Sequence, residues 1–383
     1  MTDKRNKPLR AVLVGCGGMG RHQARNLSEL DEFELVGVCD NDAEQAKNVA
    51  DEMGVKSYTD FAAMLEAEQP ETVSVCTPNS SHAPLTIQAA QFPSVRGVYC
   101  EKQMATNVDD ARAMVQTCKD NDAALVINHQ RRMGADLVEA RRLLESGAIG
   151  EVRLVRGNCA GDMLSDGTHL IDSLQWLTGD QDAEWVLGQV HREPPEEGEG
   201  GTGADGKQRA VAPGYRYGHV VETGALGVYQ LTSGVRVELY TGDLREPRSI
   251  YQTYEIFGTA GRLWRTGDRA RPHNLFIQDA QGGPLCGGIA DHGFQAVPAE
   301  GGRAGIWRAV DVPQAEHRDA KMPAYRLFAK TVREGAYHPM NGENALRGAE
   351  ILMSVYESAR LRRKITPPLQ QERFPLEVML AEA

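Results

Sequence analysis

The sequence predicts an α/β protein in two parts. A parallel sheet with crossover helices occupies residues 1–128. A second α/β unit with a mainly antiparallel sheet occupies residues 129–383. Three observations predict this. The glycine-spaced turn Gly15-Cys16-Gly17-Gly18-Met19-Gly20 joins an apolar run over 9–14 to a stretch where Ala24, Leu27 and Leu30 recur at helical spacing. Strand-like and helix-like segments then alternate as far as residue 127, which demands a parallel sheet with right-handed connections. Beyond residue 180, strand-like runs at 183–190, 225–232, 235–240, 250–257 and 261–265 follow one another without helices between them, the mark of antiparallel pairing.

In the first part, strands are expected at 12–14, 35–39, 72–76, 97–100 and 124–127. Helices are expected at 42–53, where Ala43, Ala46, Val49, Ala50 and Met53 share a face, and at 61–65, 80–91 and 108–121. Asp60 has the position of an N-cap for the second of these helices. In the second part, helices are expected at 136–146 and 167–178, and a strand at 152–158. Two terminal helices are expected at 322–333 and 344–361, free to pack back on the first part. The segment 192–214, rich in Glu, Gly and Pro, reads as a surface loop. The glycine-rich 268–305 reads as short strands and turns.

Strand, glycine turn and helix in this order form a dinucleotide-binding turn of the Rossmann type. Gly15 permits the tight bend, Gly17 lets backbone approach a pyrophosphate, and Gly20 lets the helix pack close to the strand. The helix start offers N–H groups and a positive dipole end to phosphate. Asp40, about 20 residues past the last glycine, stands where a carboxylate binds a ribose 2′-hydroxyl. That favours NAD. NADP is less favoured, because its 2′-phosphate would meet Asp40 and Asp42. Ligands of parallel sheets lie outside the carboxyl ends of the strands. Those ends carry Gly15, Asp40-Asn41, Thr77-Pro78-Asn79, Glu101-Lys102 and Asn128-His129-Gln130, the expected lining of a cofactor cleft, with His82 nearby as a structural or cofactor contact.

A net charge of −11 argues against a nucleic-acid-binding face. No run of 18 apolar residues suggests a membrane span. Residues 1–8 lack the apolar core of a signal peptide. Seven cysteines with no C-x-x-C pair suit buried free thiols in a reducing cytoplasm, and no Cys/His spacing suggests a metal.

Lys102, at a strand end, can stabilise a developing oxyanion beside a nicotinamide, or it is simply a solvated side chain. Asp166 can cap the helix that carries His169 and Asp172, three residues apart on one face. Imidazole suits a hydroxyl proton near neutral pH, and a carboxylate can orient it, unless the histidine is only a satisfied core residue. Arg131 and Arg132 can bind a polyol or anionic substrate, or bridge the two domains by ion pairing.

Taken together, these residues resemble the Gfo/Idh/MocA oxidoreductase family over nearly the whole chain. The resemblance runs through Gly15–Gly20, Asp40, Thr77-Pro78-Asn79 with His82, Glu101-Lys102, Asn128 to Arg132, Gly147 to Glu151, and His169-Leu170-Ile171-Asp172. It implies a Rossmann domain followed by an α/β domain on a large open antiparallel sheet, and a homodimer or homotetramer formed through that sheet. It also implies hydride transfer between NAD and a sugar, inositol or related polyol, with Lys102 as catalytic lysine and His169 as acid/base. Two other functions compatible with the resemblance are a hydrolase or lyase working by transient oxidation and a silent NAD-binding sensor. The sequence departs from the family's Glu-Lys-Pro at Gln103. It also has Ser165 where many relatives place an aspartate, with Asp166 one residue later, so the catalytic carboxylate beside His169 is either Asp166 in a shifted geometry or Asp172. The first departure leaves the Lys102–Gln103 peptide either trans, with Lys102 re-aimed, or cis.

Overall fold

A computed structural model describes residues 7–193, 201–202, 208–211, 214–247, 251–267, 273–278, 307–312 and 321–382. Its first sheet contains β1 (Leu9–Val14), β2 (Phe33–Cys39), β3 (Lys56–Tyr58), β4 (Thr72–Val75), β5 (Gly97–Cys100) and β6 (Ala124–Ile127). All pairs are parallel and the strand order is β3-β2-β1-β4-β5-β6. This is the doubly wound dinucleotide-binding order, whose chain reversal lies between β1 and β4. The helices are α1 (Gly18–Ser28), α2 (Ala43–Met53), α3 (Phe61–Glu68), α4 (His82–Ala90) and α5 (Val108–Asp120). Asp60 caps α3 as expected, accepting from the Ala63 N–H at 2.9 Å. The edge strand β3 was not expected, since Lys56-Ser57-Tyr58 has no apolar pattern.

The second sheet has eight strands. After α6 (Ala135–Glu145) come β7 (Val152–Cys159), α7 (Thr168–Thr178) and β8 (Ala183–His191). Two short hairpins follow, β9 (Gly201–Thr202) with β10 (Gln208–Val211) and β11 (Tyr215–Arg216) with β12 (His219–Val220). The rest of the loop expected at 192–214 lies outside the described residues. The remaining sheet strands are β13 (Gly224–Leu231), β14 (Arg236–Gly242), β15 (Thr253–Gly258), β16 (Arg262–Arg265), β17 (Leu275–Gln278) and β18 (Arg308–Ala309). Strand order is β18-β17-β16-β15-β7-β14-β13-β8, antiparallel except where β7 lies parallel to β14. β17 falls in the expected 268–305 stretch, most of which also lies outside the described residues.

The chain then returns. α8 (Lys321–Glu334) packs on the first sheet, α9 (Gly342–Leu361) spans both sheets, and α10 (Pro375–Glu382) ends the described chain. Tyr325 of α8 stacks on Tyr99 of β5 at 4.3 Å between ring centres and meets Phe33 edge-on at 5.9 Å. Val355 of α9 presses its backbone on Gly188 of β8, where any Cβ would lie 2.3 Å from the Val355 carbonyl oxygen. Among the described residues, no helix is long and apolar enough to cross a membrane.

Candidate active site

The glycine turn has the shape that a dinucleotide needs. Gly15 has φ +95°, and a Cβ there would meet the Cys76 backbone at 2.6 Å. A Cβ on Gly20 would strike the Gly15 carbonyl oxygen. A Cβ on Gly17 meets nothing within 4 Å, so the first turn of α1 has an open approach for an anion. Gly18 and Met19 are exposed beside it. Asp40 accepts the Cys16 N–H at 2.6 Å and the Asp42 N–H at 2.9 Å, which holds its carboxylate at the rim of this cradle next to Asn41. Burial raises the Cys16 thiol to about 12, which makes it inert. These residues fit NAD.

The end of β5 is held from behind. Glu101 is buried and accepts from Asn128 at 2.8 Å and from Gln23 of α1. The Lys102–Gln103 bond is cis. The Gln103 carbonyl lies 2.6 Å from Nδ1 of His82, and the Thr77 carbonyl lies 2.7 Å from Nε2 of the same ring. Burial pulls His82 below its ordinary pKa while both carbonyls oppose that pull. His82 therefore clamps the Thr77-Pro78-Asn79 loop to the strand end that presents Lys102.

Two hydrogen bonds cross from this strand end to the second domain. Lys102 Nζ donates to the Ser165 carbonyl at 2.5 Å. The Thr168 hydroxyl donates to the Gln103 side-chain oxygen at 2.9 Å. The departure at Gln103 thus supplies a tie that proline lacks, one residue from His169. Replacing Gln103 with leucine leaves Thr168 without that buried acceptor. We expect about 1–3 kcal/mol of lost stability in urea unfolding; no loss would show the bond to be idle.

His169 stands on α7, which is preceded by a π-helical turn, Met163–Gly167. The turn moves the cap. Asp162, not the expected Asp166, receives the Ser165 N–H at 2.7 Å. Asp166 instead faces outward from the turn, accepting from Arg216 at 2.5 Å and from the Tyr251 hydroxyl at 3.0 Å. Arg131 lies over the Tyr251 ring at 4.9 Å, and Lys102 lies 5.7 Å from the centre of the Tyr217 ring. Sequence reasoning missed Arg216, Tyr217 and Tyr251. The only signal was Tyr215-Arg216-Tyr217 in a stretch otherwise rich in glycine.

Arg132 and Asp172 do not line this cleft. Both are buried, and Arg132 grips Asp172 through two bonds of 2.8 and 2.7 Å while reaching Asp180 at 2.7 Å. His129, its pKa lowered by burial with Asp172 opposing, lies 3.5 Å from Asp172 and bonds Thr168 at 3.0 Å. Its ring meets that of His169 edge-on at 5.7 Å. Of the expected substrate contacts, Arg132 and Asp172 are therefore spent on a buried ion pair that fixes the segment after β6 to α7. Gln130, also buried, sits beside them.

Beneath the π-turn, Glu222 accepts from the Met163 N–H at 2.5 Å and from the Tyr356 hydroxyl at 2.8 Å. Burial, then the charge of Asp162, raises its pKa from 4.5 to about 7. A raised carboxyl contributes stability that is complete below about pH 4.5 and is lost as pH rises through about 7. Glu222→Gln is expected to match wild type near pH 5 and to melt higher at pH 8. The same offset at both pH values would contradict this.

A dinucleotide cradle facing a lysine and a histidine from separate domains defines an NAD-binding protein of the oxidoreductase class. Comparison with known proteins agrees. The oxidoreductase family with an NAD-binding Rossmann fold matches residues 9–129, and the GFO/IDH/MocA C-terminal domain matches residues 137–264, together about two thirds of the chain. The chain belongs to the Gfo/Idh/MocA oxidoreductase family. It is 34% identical over 145 residues to a D-apiose dehydrogenase of Paraburkholderia graminis, a match that spans only 38% of each chain. It is 23% identical over 355 residues to the myo-inositol 2-dehydrogenase of Thermotoga maritima, covering 88% of this chain and 92% of that one. An oxidoreductase from Agrobacterium radiobacter, solved with NAD+, L-tartaric acid and magnesium, shares the fold. Its TM-score is 0.70 at 21% identity, over 94% of this chain and 98% of that one.

Proposed function

We propose that this protein is an NAD-dependent dehydrogenase acting on a sugar, inositol or related polyol. The observation that carries the reading is the bond from Lys102 Nζ to the Ser165 carbonyl, which ties the strand-end ammonium to the turn that launches the helix of His169. The chemistry that bound NAD would supply is a hydride acceptor for the substrate carbon. Lys102 supports negative charge on the reacting oxygen, and His169 takes the hydroxyl proton. Asp166, Arg216, Tyr217, Tyr251 and Arg131 supply charged and hydroxyl groups for neighbouring substrate hydroxyls. The inositol and apiose dehydrogenases among its relatives support the substrate class. Asp40 supports NAD over NADP. The six described cysteines, all free and buried, support a cytoplasmic location.

A panel of sugars, inositols and glycosides incubated with NAD tests the reading through NADH absorbance and product analysis. A polyol that yields ketone and NADH in equal amounts is expected. Glycoside cleavage without net NADH would overturn it in favour of transient oxidation. Tight NADH binding with no turnover would overturn it in favour of a sensor.

We further propose a homo-oligomer formed through the outer face of the second sheet. On that face Trp185, Leu187, Leu226, Val228 and Tyr240 remain partly or fully exposed in adjacent registered rows. Such a row of apolar side chains suits a subunit interface. The double variant Leu187→Lys, Val228→Lys is expected to run as a monomer in size-exclusion chromatography while wild type runs larger. An unchanged elution volume would rule the face out.

A further inference from the structure

Lys321 opens α8 and is only 6% exposed, yet among the described residues its ammonium reaches no carboxylate within ion-pair distance. Its hydrogen-bonding contact is the Met19 thioether at 3.7 Å, a weak acceptor. Glu101 acts on it through space, but that carboxylate already accepts from Gln23 and Asn128. Burial accordingly pulls the lysine below its ordinary pKa, with Glu101 and Cys76 opposing. The ammonium thus has Glu101 as a counter-charge only through space, and no direct anionic contact among the described residues.

The location of Lys321 indicates which charge is missing. Met19 lies in the first turn of α1, between Gly18 and Gly20. The first N–H groups of a helix have no partner within it, and the space in front of Gly17 is open. The field of Lys321 also reaches His22, one turn further along α1. The ammonium therefore stands beside an anion cradle and not beside the Asp166 and Arg216 cluster. We propose that Lys321 is a ligand of the cofactor's diphosphate, delivered to the nucleotide-binding domain by the C-terminal helix. The inference rests on the NAD-binding reading and adds a residue from outside the Rossmann segment to it. It also makes the position of α8 responsive to the cofactor, since the diphosphate supplies the direct anionic contact that Lys321 otherwise lacks among the described residues.

The test uses full-length wild type, Lys321→Met and Lys321→Arg, titrated by calorimetry with NADH, ADP-ribose, inorganic pyrophosphate and adenosine. Removing the ammonium is expected to weaken NADH, ADP-ribose and pyrophosphate by about tenfold or more, as loss of a charge-assisted contact does, with adenosine unchanged. Arginine is expected to restore most of the loss. Without ligand, the methionine variant is expected to melt no lower than wild type, because it removes a buried charge whose desolvation outweighs the attraction of Glu101. Lys321→Gln replaces it if it does not fold. Wild-type affinity of the methionine variant for ADP-ribose would overturn the proposal, as would an equal loss for adenosine, which would mean a structural role. Failure of wild type itself to bind NADH would overturn the NAD-binding reading along with it.

Discussion

Replacing Lys102 with alanine is expected to lower kcat for polyol oxidation by about a thousandfold, the scale of one lost acid–base or oxyanion-stabilising group. Lys102 projects from the end of β5 and reaches across the cleft to the Ser165 carbonyl. The glycine turn and Asp40 do not depend on it, so NADH affinity, read by fluorescence titration, should change less than about threefold. The lost bond to Ser165 removes about 1 kcal/mol of stability, small enough for the variant to remain folded. Arginine is not expected to rescue the activity, because a planar guanidinium cannot place a compact charge or give up a proton. Full activity in the alanine variant would remove Lys102 from the chemistry and with it the proposed function.

The second large effect is on stability. Arg132 pairs with the buried Asp172 and the part-buried Asp180, and also donates to the Pro339 carbonyl at 3.1 Å. Arg132→Met strands the buried Asp172 and leaves Asp180 to Arg141 at 3.9 Å, and breaking a buried pair of this kind costs about 3–5 kcal/mol. Burial already raises Asp180 despite the arginine, so without Arg132 it should hold its proton to higher pH. The variant's deficit is therefore expected to be smallest at acid pH and to grow as pH rises. Urea unfolding at pH 5 and pH 8 reads both terms. Adding Asp172→Leu should recover part of the loss, since an apolar pair fills a buried site better than a lone charge. A variant as stable as wild type at pH 8 would show that the pair does not stabilise the fold.

The parallel half of the fold was legible because its signals are local. Glycine positions, apolar runs and helix periodicity all act within about 15 residues, and Asp40 is placed by strand length alone. The site was legible only where a strand or helix end fixes a residue, as for Lys102 and His169. Other features depend on distant pairing. Arg132 is buried because Asp172, 40 residues on, meets it. Asp162 takes the capping position from Asp166 because the π-turn begins the helix early. Arg216 lies in the β11–β12 hairpin and Tyr217 and Tyr251 in turns, and nothing in the local pattern brings these segments to Asp166. The parallel contact between β7 and β14 has no local pattern either, since strand periodicity does not record a neighbour's direction.

The stacking of Tyr325 on Tyr99 also matters while the protein is being made. Strand β5 and its aromatic face leave the ribosome early, but the helix that covers them begins at Lys321. At ordinary synthesis rates Tyr99 and Phe33 wait roughly 10–60 s for that helix. During this interval the nascent Rossmann half presents a sticky aromatic surface, a natural target for chaperones and a site where two unfinished chains can adhere.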